Sequence, residues 1–275
     1  MVQNKGLIFK QVPSGWPVPG QDLVVEDHPF DLEQEAPEGG ATIKIYFASF
    51  DPYQRGRMRA AEATRSYVPP YELGKPITNA AIFRVIKSAT DKFAPGDLGL
   101  STFPIPTTEY AILGKETIQH TRKLENPHNL DIKYFLGALG MPGLTAWSSF
   151  YEIGQPKKGE TIFISAASGA VGQLVGQLAK HEGLTVIGSV GDDKKLDFIT
   201  KELKFDSGFN YKTEKPADAL SRLAPNGIDI YYENVGGEQL EAAMNAMKDF
   251  GRISELLFPK NYHMALADLV KSYAE

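Results

Sequence analysis

From Thr161 onward, short apolar runs alternate with segments whose apolar residues recur at helical spacing. The runs TIFIS, TVIGSV, SGFNY, IDIYYENV and RISELLF read as strands. The segments between them read as helices, of which GAVGQLVGQLAKHEG ends at Gly183 and GEQLEAAMNAMKDFG ends at Gly251. Strands and helices that alternate at this length are joined by right-handed crossovers. The pattern therefore predicts an α/β fold, a doubly wound parallel sheet with helices on both faces.

The first part of the chain has a different composition and is rich in Pro and Gly. DLVVEDHPFDL, ATIKIYFASF, AAIFRVIKSA and EYAILG read as strands separated by turns such as APGD, and no strong helix is visible. The change follows NPHNLD, after which DIKYFLGALGMPGLTAWSSFYEIG predicts two helices broken at the pair Pro142 and Gly143. A chain of 275 residues is long for one compact core. We expect two domains, 1–126 and 127–275.

Composition narrows the classes of function. A formal charge of −5 provides no basic field, so no nucleic-acid partner is expected. There are no cysteines, and the five histidines are scattered without metal-ligand spacing, so no metal site is expected. The N-terminal residues lack the apolar core of a signal peptide, and the longest apolar run is too short to span a bilayer. These features predict a cytoplasmic protein with no membrane contact.

The turn after the first strand of the alternating region reads SAASGAVG. Compared with the fingerprint GxGxxG, Ala167 stands in the first position, and Gly169 and Gly172 hold the second and third. Gly169 lets the backbone approach a pyrophosphate, and Gly172 lets the helix pack closely on the strand. The helix N-terminus offers free amides to that anion. A tight turn without a ligand is the alternative, but the position of the motif at the start of a βαβ series favours a dinucleotide.

An NAD site places a carboxylate at the end of the second strand. Here that strand ends GSVGDDKK, with Ser189 and Gly191 where the acid is expected, and the two aspartates that follow can cap the next helix. Lys195, one helical turn in, and Tyr211, at the end of the third strand, could reach a 2′-phosphate. Lys195 could equally be a solvated helix lysine. We expect NADPH as the cofactor.

Six motifs, in order, resemble those of the zinc-independent medium-chain reductases, and most closely those of the alkenal/enone double-bond reductases and prostaglandin reductases. They are DPYQRGRM, SYVPPYELGKPI, GALGMPGLTAW, SAASGAVGQLVGQLAK, FNYKT and IDIYYENVGGEQLEAAMNAMKDFGRI. The resemblance implies a GroES-like β-domain followed by a Rossmann-type domain, with NADPH and substrate in the cleft between them. It agrees with the absence of cysteines, because this branch dispenses with both zinc sites.

The resemblance also implies site residues and a reaction. The implied cofactor contacts are Met141, Thr145, Ala167, Gly169, Ala170, Val171, Gly172, Lys195, Tyr211 and Asn234. The implied reaction is conjugate reduction, in which hydride reaches the β-carbon of an α,β-unsaturated aldehyde or ketone and donors stabilise the enolate oxygen. The tyrosine donors of the family correspond to Tyr53 of DPYQRGRM and to Tyr262. Taken without the resemblance, Met141 could be core and Asn234 could only close a turn.

The chain departs from the family in several places. After Ile253 it reads SELLFPKNYHMALADLVKSYAE, which predicts a short amphipathic helix in place of the usual last strand and returning segment. An uncovered sheet edge of this kind invites pairing, which leaves a homodimer open. The strand ITNAAIFRVIKSA lacks the family's glycines, LSTFPIPTTEYAIL lacks the expected Gly-Trp, and Trp147 stands where the family more often has Tyr. Two alternatives therefore stay open: a repurposed isomerase or cyclase without net redox, and a non-catalytic partner protein.

Overall fold

The computed structural model describes residues 1–62, 66 and 68–254. It divides the chain into two compact units, Met1–Leu136 and Gly137–Glu275. The division follows Leu136, whereas the sequence placed the boundary after residue 126. Within the described residues, no helix is both long and apolar enough to cross a membrane.

The first unit is built from antiparallel strands. Within its described residues the strands are Lys5–Phe9 (β1), Leu23–Asp27 (β2), Ala41–Ala48 (β3), Thr78–Ser88 (β4), Leu98–Pro106 (β5), Tyr110–Leu113 (β6) and Thr121–Lys123 (β7). The strands β1 and β2 form a two-stranded sheet, and the other five form a sheet with the order β6-β3-β4-β5-β7. Two five-residue helices, Tyr53–Arg57 (α1) and Lys115–Gln119 (α2), and a 3-10 turn at Ile132–Phe135 complete the unit. The four predicted strand segments are confirmed as β2, β3, β4 and β6.

The second unit alternates helix and strand. Its elements are Met141–Ser149 (α3), Thr161–Ile164 (β8), Gly172–His181 (α4), Thr185–Val190 (β9), Asp193–Asp197 (α5), Ser207–Asn210 (β10), Pro216–Leu223 (α6), Ile228–Tyr232 (β11), Gly237–Asn245 (α7) and Met247–Ser254 (β12). Single π-helical turns, Phe150–Gly154 and Phe198–Glu202, extend α3 and α5. The strands form a parallel sheet with the order β10-β9-β8-β11-β12. The predicted doubly wound α/β fold is confirmed.

The order of this sheet reverses direction between β8 and β11, which are neighbours although two strands separate them in the chain. Ligands of open α/β sheets bind beyond the carboxyl ends of the strands at such a switch point. Apolar clusters cover both faces of the sheet: Ile162 and Ile164 of β8 belong to one, and Phe163 belongs to the other. This alternation fixes the register of the strand ends that line the candidate site.

Two predicted helix boundaries are wrong. Pro142 does not break a helix, because it lies in the first turn of α3, where the missing amide would have no partner in any case. The helix α7 ends at Asn245 instead of continuing to Gly251. Met247 already pairs with Ile228 in the sheet, and Phe250 takes a left-handed backbone conformation with φ 63°. Tertiary pairing with β11 thus overrides a helical apolar pattern.

An ion pair ties β12 to the start of β8. The Arg252 guanidinium contacts both carboxylate oxygens of Glu160 at 2.9 and 2.5 Å, and it also donates to the carbonyls of Gly154 and Gln155. Burial raises the pKa of Glu160, but the hydrogen bonds from Arg252 and from the Lys157 amide outweigh it and hold that pKa below its usual value of 4.5. A depressed pKa gives stability that is present above the unfolded pKa and is lost as pH falls through the folded one.

Replacing Arg252 with Met is therefore expected to lower the free energy of unfolding at pH 7 by about 2 kcal/mol. The substitution should also flatten the loss of stability below about pH 4.5, because Glu160 no longer has its partner. Urea unfolding at pH 7, 5 and 4 measures both effects. Arg222→Met is the control, since Arg222 pairs with Glu214 at an exposed site and should change little. An unchanged pH dependence in Arg252→Met would contradict this assignment.

Candidate functional site

The glycine-rich turn joins the end of β8 to the start of α4. Ala166 adopts a left-handed conformation, φ 47°, and its carbonyl accepts the amide of Gly169 at 2.8 Å. The amide of Ala167 donates to the Ser189 carbonyl of β9 at 2.9 Å, and Ala167 is fully buried. The turn is thus anchored to the sheet on one side, while Gly169 and Ala170 are exposed on the other.

The two glycines of this turn differ in what surrounds them. A side chain at Gly172 would place its Cβ 2.6 Å from the Ala166 carbonyl oxygen and 2.9 Å from the Ala167 Cα, so the helix can lie this close only without one. A Cβ at Gly169 would meet only the Ala166 carbonyl, at 3.0 Å, and otherwise faces open space. Gly172 therefore serves packing, and Gly169 keeps the approach to the turn clear.

Three successive main-chain amides at this turn are unpaired. Within the described residues, the amides of Ala170, Val171 and Gly172 have no acceptor, and the first nearby intrahelical bond runs from Gln173 to Gly169 at 3.0 Å. Free amides at a helix N-terminus, together with the helix dipole, attract an anion. The arrangement suits the pyrophosphate of a dinucleotide, and it brings together five of the predicted site residues.

At the end of β9, the structure leaves little room for the carboxylate that an NAD site would place there. A Cβ at Gly191 would lie 2.8 Å from the Tyr211 hydroxyl oxygen, so the tyrosine ring crosses the space where an acidic side chain would stand. The Tyr211 amide donates to the Val190 carbonyl at 3.1 Å, and its side chain is 43% exposed. The hydroxyl has no hydrogen-bond partner among the described residues, so it is available to a ligand.

Lys195 lies one turn into α5, beside the residue that caps that helix. The Asp192 side chain accepts the Lys195 amide at 2.9 Å, as the sequence had left open, and its second oxygen lies 3.7 Å from the Lys195 ammonium nitrogen. The amide bond and the nearby ammonium group hold the pKa of Asp192 below its usual value. Lys195 is exposed, and its loose pairing with Asp192 leaves it able to contact a phosphate.

One link in this region was missed at the sequence level. The buried Asn210 donates from its side-chain amide to Asp193 at 2.8 Å, which joins the end of β10 to the first turn of α5. Its carbonyl oxygen accepts the Lys212 amide at 3.1 Å. Asn210 thereby holds the segments that carry Tyr211 and Lys195 together. A polar residue at the last position of a strand is the signal that could have indicated it.

Asn234 follows β11 and is fixed against the end of β8. Its main-chain amide donates to the Ser165 hydroxyl, and its side-chain amide donates to the Ser165 carbonyl, both at 2.8 Å. The residue is nevertheless exposed, and its side-chain oxygen has no partner among the described residues. Asn234 therefore closes the turn, as one interpretation of the sequence held, and still presents an acceptor at the switch point.

Met141 and Thr145 lie on α3, whose Ala146 packs in one apolar cluster with Val175 and Ala179 of α4. Met141 is half-buried at the first position of the helix. Thr145 is buried, and its hydroxyl has no hydrogen-bond partner in the part of the chain that the structure describes. Its main-chain carbonyl accepts the Ser149 hydroxyl at 2.7 Å, which fixes the Ser149 side chain against the helix.

Buried tyrosines of β11 surround the switch point. Burial raises the pKa of Tyr231, opposed by the nearby Ser165 hydroxyl and strengthened by the charge of Glu233. The Tyr231 hydroxyl makes no hydrogen bond of good geometry with the described residues. Burial raises the pKa of Tyr232 to about 12, against the hydrogen bond that joins it to Ser149 at 2.5 Å. Both tyrosines therefore stay neutral at physiological pH and serve the fold.

Tyr53 lies in the first unit, in the first turn of α1. Its hydroxyl contacts the side-chain oxygen of Asn79, a fully buried residue. The Asn79 amide nitrogen donates to the Asp51 carboxylate at 2.8 Å and to the Ser49 carbonyl at 2.6 Å, which fixes the orientation of the amide. Because the Asn79 oxygen must face Tyr53, the tyrosine is the donor in this bond. The second predicted tyrosine, Tyr262, lies outside the described residues.

Two further features lie apart from these residues. A cavity of about 380 Å³ opens where α6 and α7 end, beside Asn226, Asn245 and Lys248. It lies at the amino ends of β11 and β12, opposite the glycine-rich turn. Among the described residues, no group of three His, Asp or Glu side chains could hold a metal ion.

Two family models match this chain. One, described as the N-terminal domain of oxidoreductase, matches residues 5–120, and the other, described as zinc-binding dehydrogenase, matches residues 170–270. The NADP-dependent oxidoreductase RED1 of Cochliobolus heterostrophus is 54% identical over 98% of this chain and 80% of its own length. The chain belongs to the zinc-independent medium-chain dehydrogenase/reductase superfamily. Within it, the chain belongs to the enone reductase branch.

A second relative and a solved structure are also similar to this chain. The 2-alkenal reductase (NADP(+)-dependent) of Nicotiana tabacum is 43% identical over 92% of this chain and 72% of its own length. Among solved structures, CurA from Vibrio vulnificus in complex with NADPH superposes with a TM-score of 0.80 at 28% identity, over 98% of this chain and 80% of CurA. The predicted pair of domains, GroES-like and Rossmann-type, is confirmed by this likeness.

Proposed function

We propose that this protein is an NADPH-dependent oxidoreductase that reduces the C=C bond of α,β-unsaturated aldehydes and ketones. The turn after β8 carries the cofactor part of this proposal, because it presents three unpaired amides beside a glycine that keeps the approach clear. Relatives named as NADP-dependent oxidoreductases, and one named as a 2-alkenal reductase, support the class of reaction. The substrate and the roles of individual residues are proposals.

The residues of the second unit fit a dinucleotide with a 2′-phosphate. The amides of Ala170, Val171 and Gly172 would hold the pyrophosphate, and Lys195 and Tyr211 would hold the 2′-phosphate. Met141, Thr145 and the free oxygen of Asn234 would contact the cofactor nearer its reactive end. The absence of a carboxylate at Gly191 removes the group that would repel the extra phosphate. Bound NADPH supplies the hydride.

Two tyrosine hydroxyls would stabilise charge on the substrate oxygen. Addition of hydride to the β-carbon leaves an enolate, and a hydroxyl donor aimed at its oxygen lowers the barrier. Tyr53 is the proposed donor, together with Tyr262. The Tyr53 hydroxyl now donates to Asn79, but a hydroxyl rotates about its C–O bond, so the same proton can turn to a substrate oxygen.

Calorimetric titration with NADPH and, in parallel, NADH tests the cofactor part of this proposal. Tight binding with a preference for NADPH is expected. A panel of enones and alkenals, followed by NADPH oxidation at 340 nm, then tests the reaction. Binding of NADPH without turnover of any panel member would overturn the proposed substrate class, and product formed without net NADPH oxidation would favour an isomerase or cyclase.

Replacing Lys195 with Ala is expected to weaken NADPH binding about tenfold or more and to leave NADH binding within about twofold. The charge interaction is with the extra phosphate alone, so only the phosphorylated cofactor should lose it. The measurement is the ratio of the two dissociation constants. Lys194→Ala, one position earlier on the same helix, is the control and should change neither. Equal losses for both cofactors in Lys195→Ala would refute the assignment.

The homodimer stays a prediction. Among the described strands, β12 is the outermost on its side of the parallel sheet, and Phe250 on it is 96% exposed. Sedimentation equilibrium of the purified protein measures the assembly state directly.

A further inference from the structure

Glu233, at the end of β11, carries a buried carboxylate that is satisfied on one side only. The residue is 9% exposed, and its Oε1 atom accepts the amides of Val235 and Gly236 at 2.5 and 2.7 Å. Its Oε2 atom is buried and makes no hydrogen bond of good geometry with the described residues, although the Tyr231 hydroxyl lies near this carboxylate. No described Lys, Arg or His forms an ion pair with it. Burying a carboxylate in this state costs folding free energy. Its two hydrogen bonds therefore indicate what the side chain contributes.

Those two bonds hold the loop between β11 and α7. Gly236 and Gly237 both have positive φ, 73° and 59°, and the start of α7 has no side-chain cap. Glu233 is thus the side chain that pairs the two loop amides just before the helix. Asn234, next to it, is bonded to Ser165, whereas the side chain of Val235 is 51% exposed.

We propose that Glu233 is a positioning residue for the cofactor site, whose carboxylate oxygen fixes the loop 234–237 in the shape that presents the free oxygen of Asn234 and the side chain of Val235 to the dinucleotide. This inference rests on the proposed function. The role requires an acceptor for two amides and requires no charge. Suitable substitutions at position 233 can therefore distinguish this role from a general contribution to stability.

Substitution of Glu233 by glutamine and by alanine is expected to affect the loop differently. In Glu233→Gln the amide oxygen still accepts from Val235 and Gly236, and the new NH₂ group can donate to the Tyr231 hydroxyl, which interacts with the side chain at position 233. In Glu233→Ala both loop amides lose their partner. Glu238→Ala is the matched control, because Glu238 is an exposed glutamate in the first turn of α7 and its side chain makes no hydrogen bond with the described residues.

The experiment combines hydrogen exchange of the Val235 and Gly236 amides with NADPH titration for the wild type and the three variants. Glu233→Ala should exchange these amides about tenfold faster or more and should bind NADPH about tenfold more weakly. Glu233→Gln and Glu238→Ala should stay within about threefold of the wild type in both measurements. Recovery by glutamine is the result that a charge effect would not give.

Several outcomes would overturn the proposal. Unchanged exchange in Glu233→Ala would show that the carboxylate does not hold the loop. Faster exchange with unchanged NADPH affinity would show that the loop shape does not matter to the cofactor. Equal losses in Glu233→Gln and Glu233→Ala would assign the effect to charge. If the wild type itself binds no NADPH, the proposed function fails, and the exchange data still report separately whether Glu233 orders the loop.

Discussion

Replacing Gly172 with Ala is expected to cost about 2 to 3 kcal/mol of stability, whereas replacing Gly169 with Ala is expected to spare the fold and weaken NADPH binding. The new Cβ at position 172 would lie 2.6 Å from the Ala166 carbonyl oxygen, so α4 must move away from the turn. Thermal unfolding should show a lower Tm, by roughly 5 to 10 °C. Because the free amides move with the helix, NADPH affinity should fall as well.

The same methyl group at Gly169 meets only the Ala166 carbonyl at 3.0 Å, and the backbone φ there is not in the left-handed region. It would instead stand in the open space above the turn, where the pyrophosphate must approach. NADPH affinity should therefore fall about tenfold or more with Tm nearly unchanged. Gly154→Ala is the control, since a Cβ there makes only ordinary contacts of 3.7 Å or longer. Normal NADPH binding by Gly169→Ala would place the pyrophosphate elsewhere.

The strands and helices of the second unit could be predicted because each is encoded by a short, contiguous sequence pattern. The apolar runs TIFI and TVIGSV are buried at every position after their first threonine, and the helix that follows TIFI, α4, has one buried face that includes Val175 and Ala179. The turn at Gly169 was predictable for the same reason, since the fingerprint spans only the residues that build it. Asp192 illustrates how far local reasoning reaches, because its capping of α5 was open from the sequence and is now observed.

What the sequence did not reveal depends on contacts between distant segments. The strand β12 begins at Met247 because this residue pairs with Ile228 of β11, and no property of the MKDF segment itself indicates that pairing. The hydrogen bond between the Ser189 hydroxyl and Gln239, both buried, joins β9 to α7 across 50 positions. The half-satisfied carboxylate of Glu233 is likewise visible only after folding. Only Ser189 and Glu233 carry a local signal, because each is a polar residue at or next to the end of an apolar strand.

Replacing Tyr53 with Phe is expected to lower kcat for enone reduction about a hundredfold, with NADPH affinity unchanged within about twofold. The substitution removes a single hydroxyl, and with it the donor proposed for the enolate oxygen. Stopped-flow measurement of hydride transfer under single turnover isolates that step from product release. Tyr46→Phe is the matched control in the same unit, because the Tyr46 side chain is exposed and its hydroxyl accepts from Arg84 at 2.8 Å.

Asn79 is a poor residue to replace for this purpose, because its amide also supplies a donor to the buried Asp51 carboxylate. Its loss would leave that carboxylate short of a partner and would confuse a catalytic effect with an unfolding one. Tyr53→Phe avoids this difficulty, since Asn79 keeps both of its other bonds and loses only an acceptor contact. If Tyr53→Phe reduces enones at the wild-type rate, the donor role falls to Tyr262, and Tyr262→Phe should then show the larger loss.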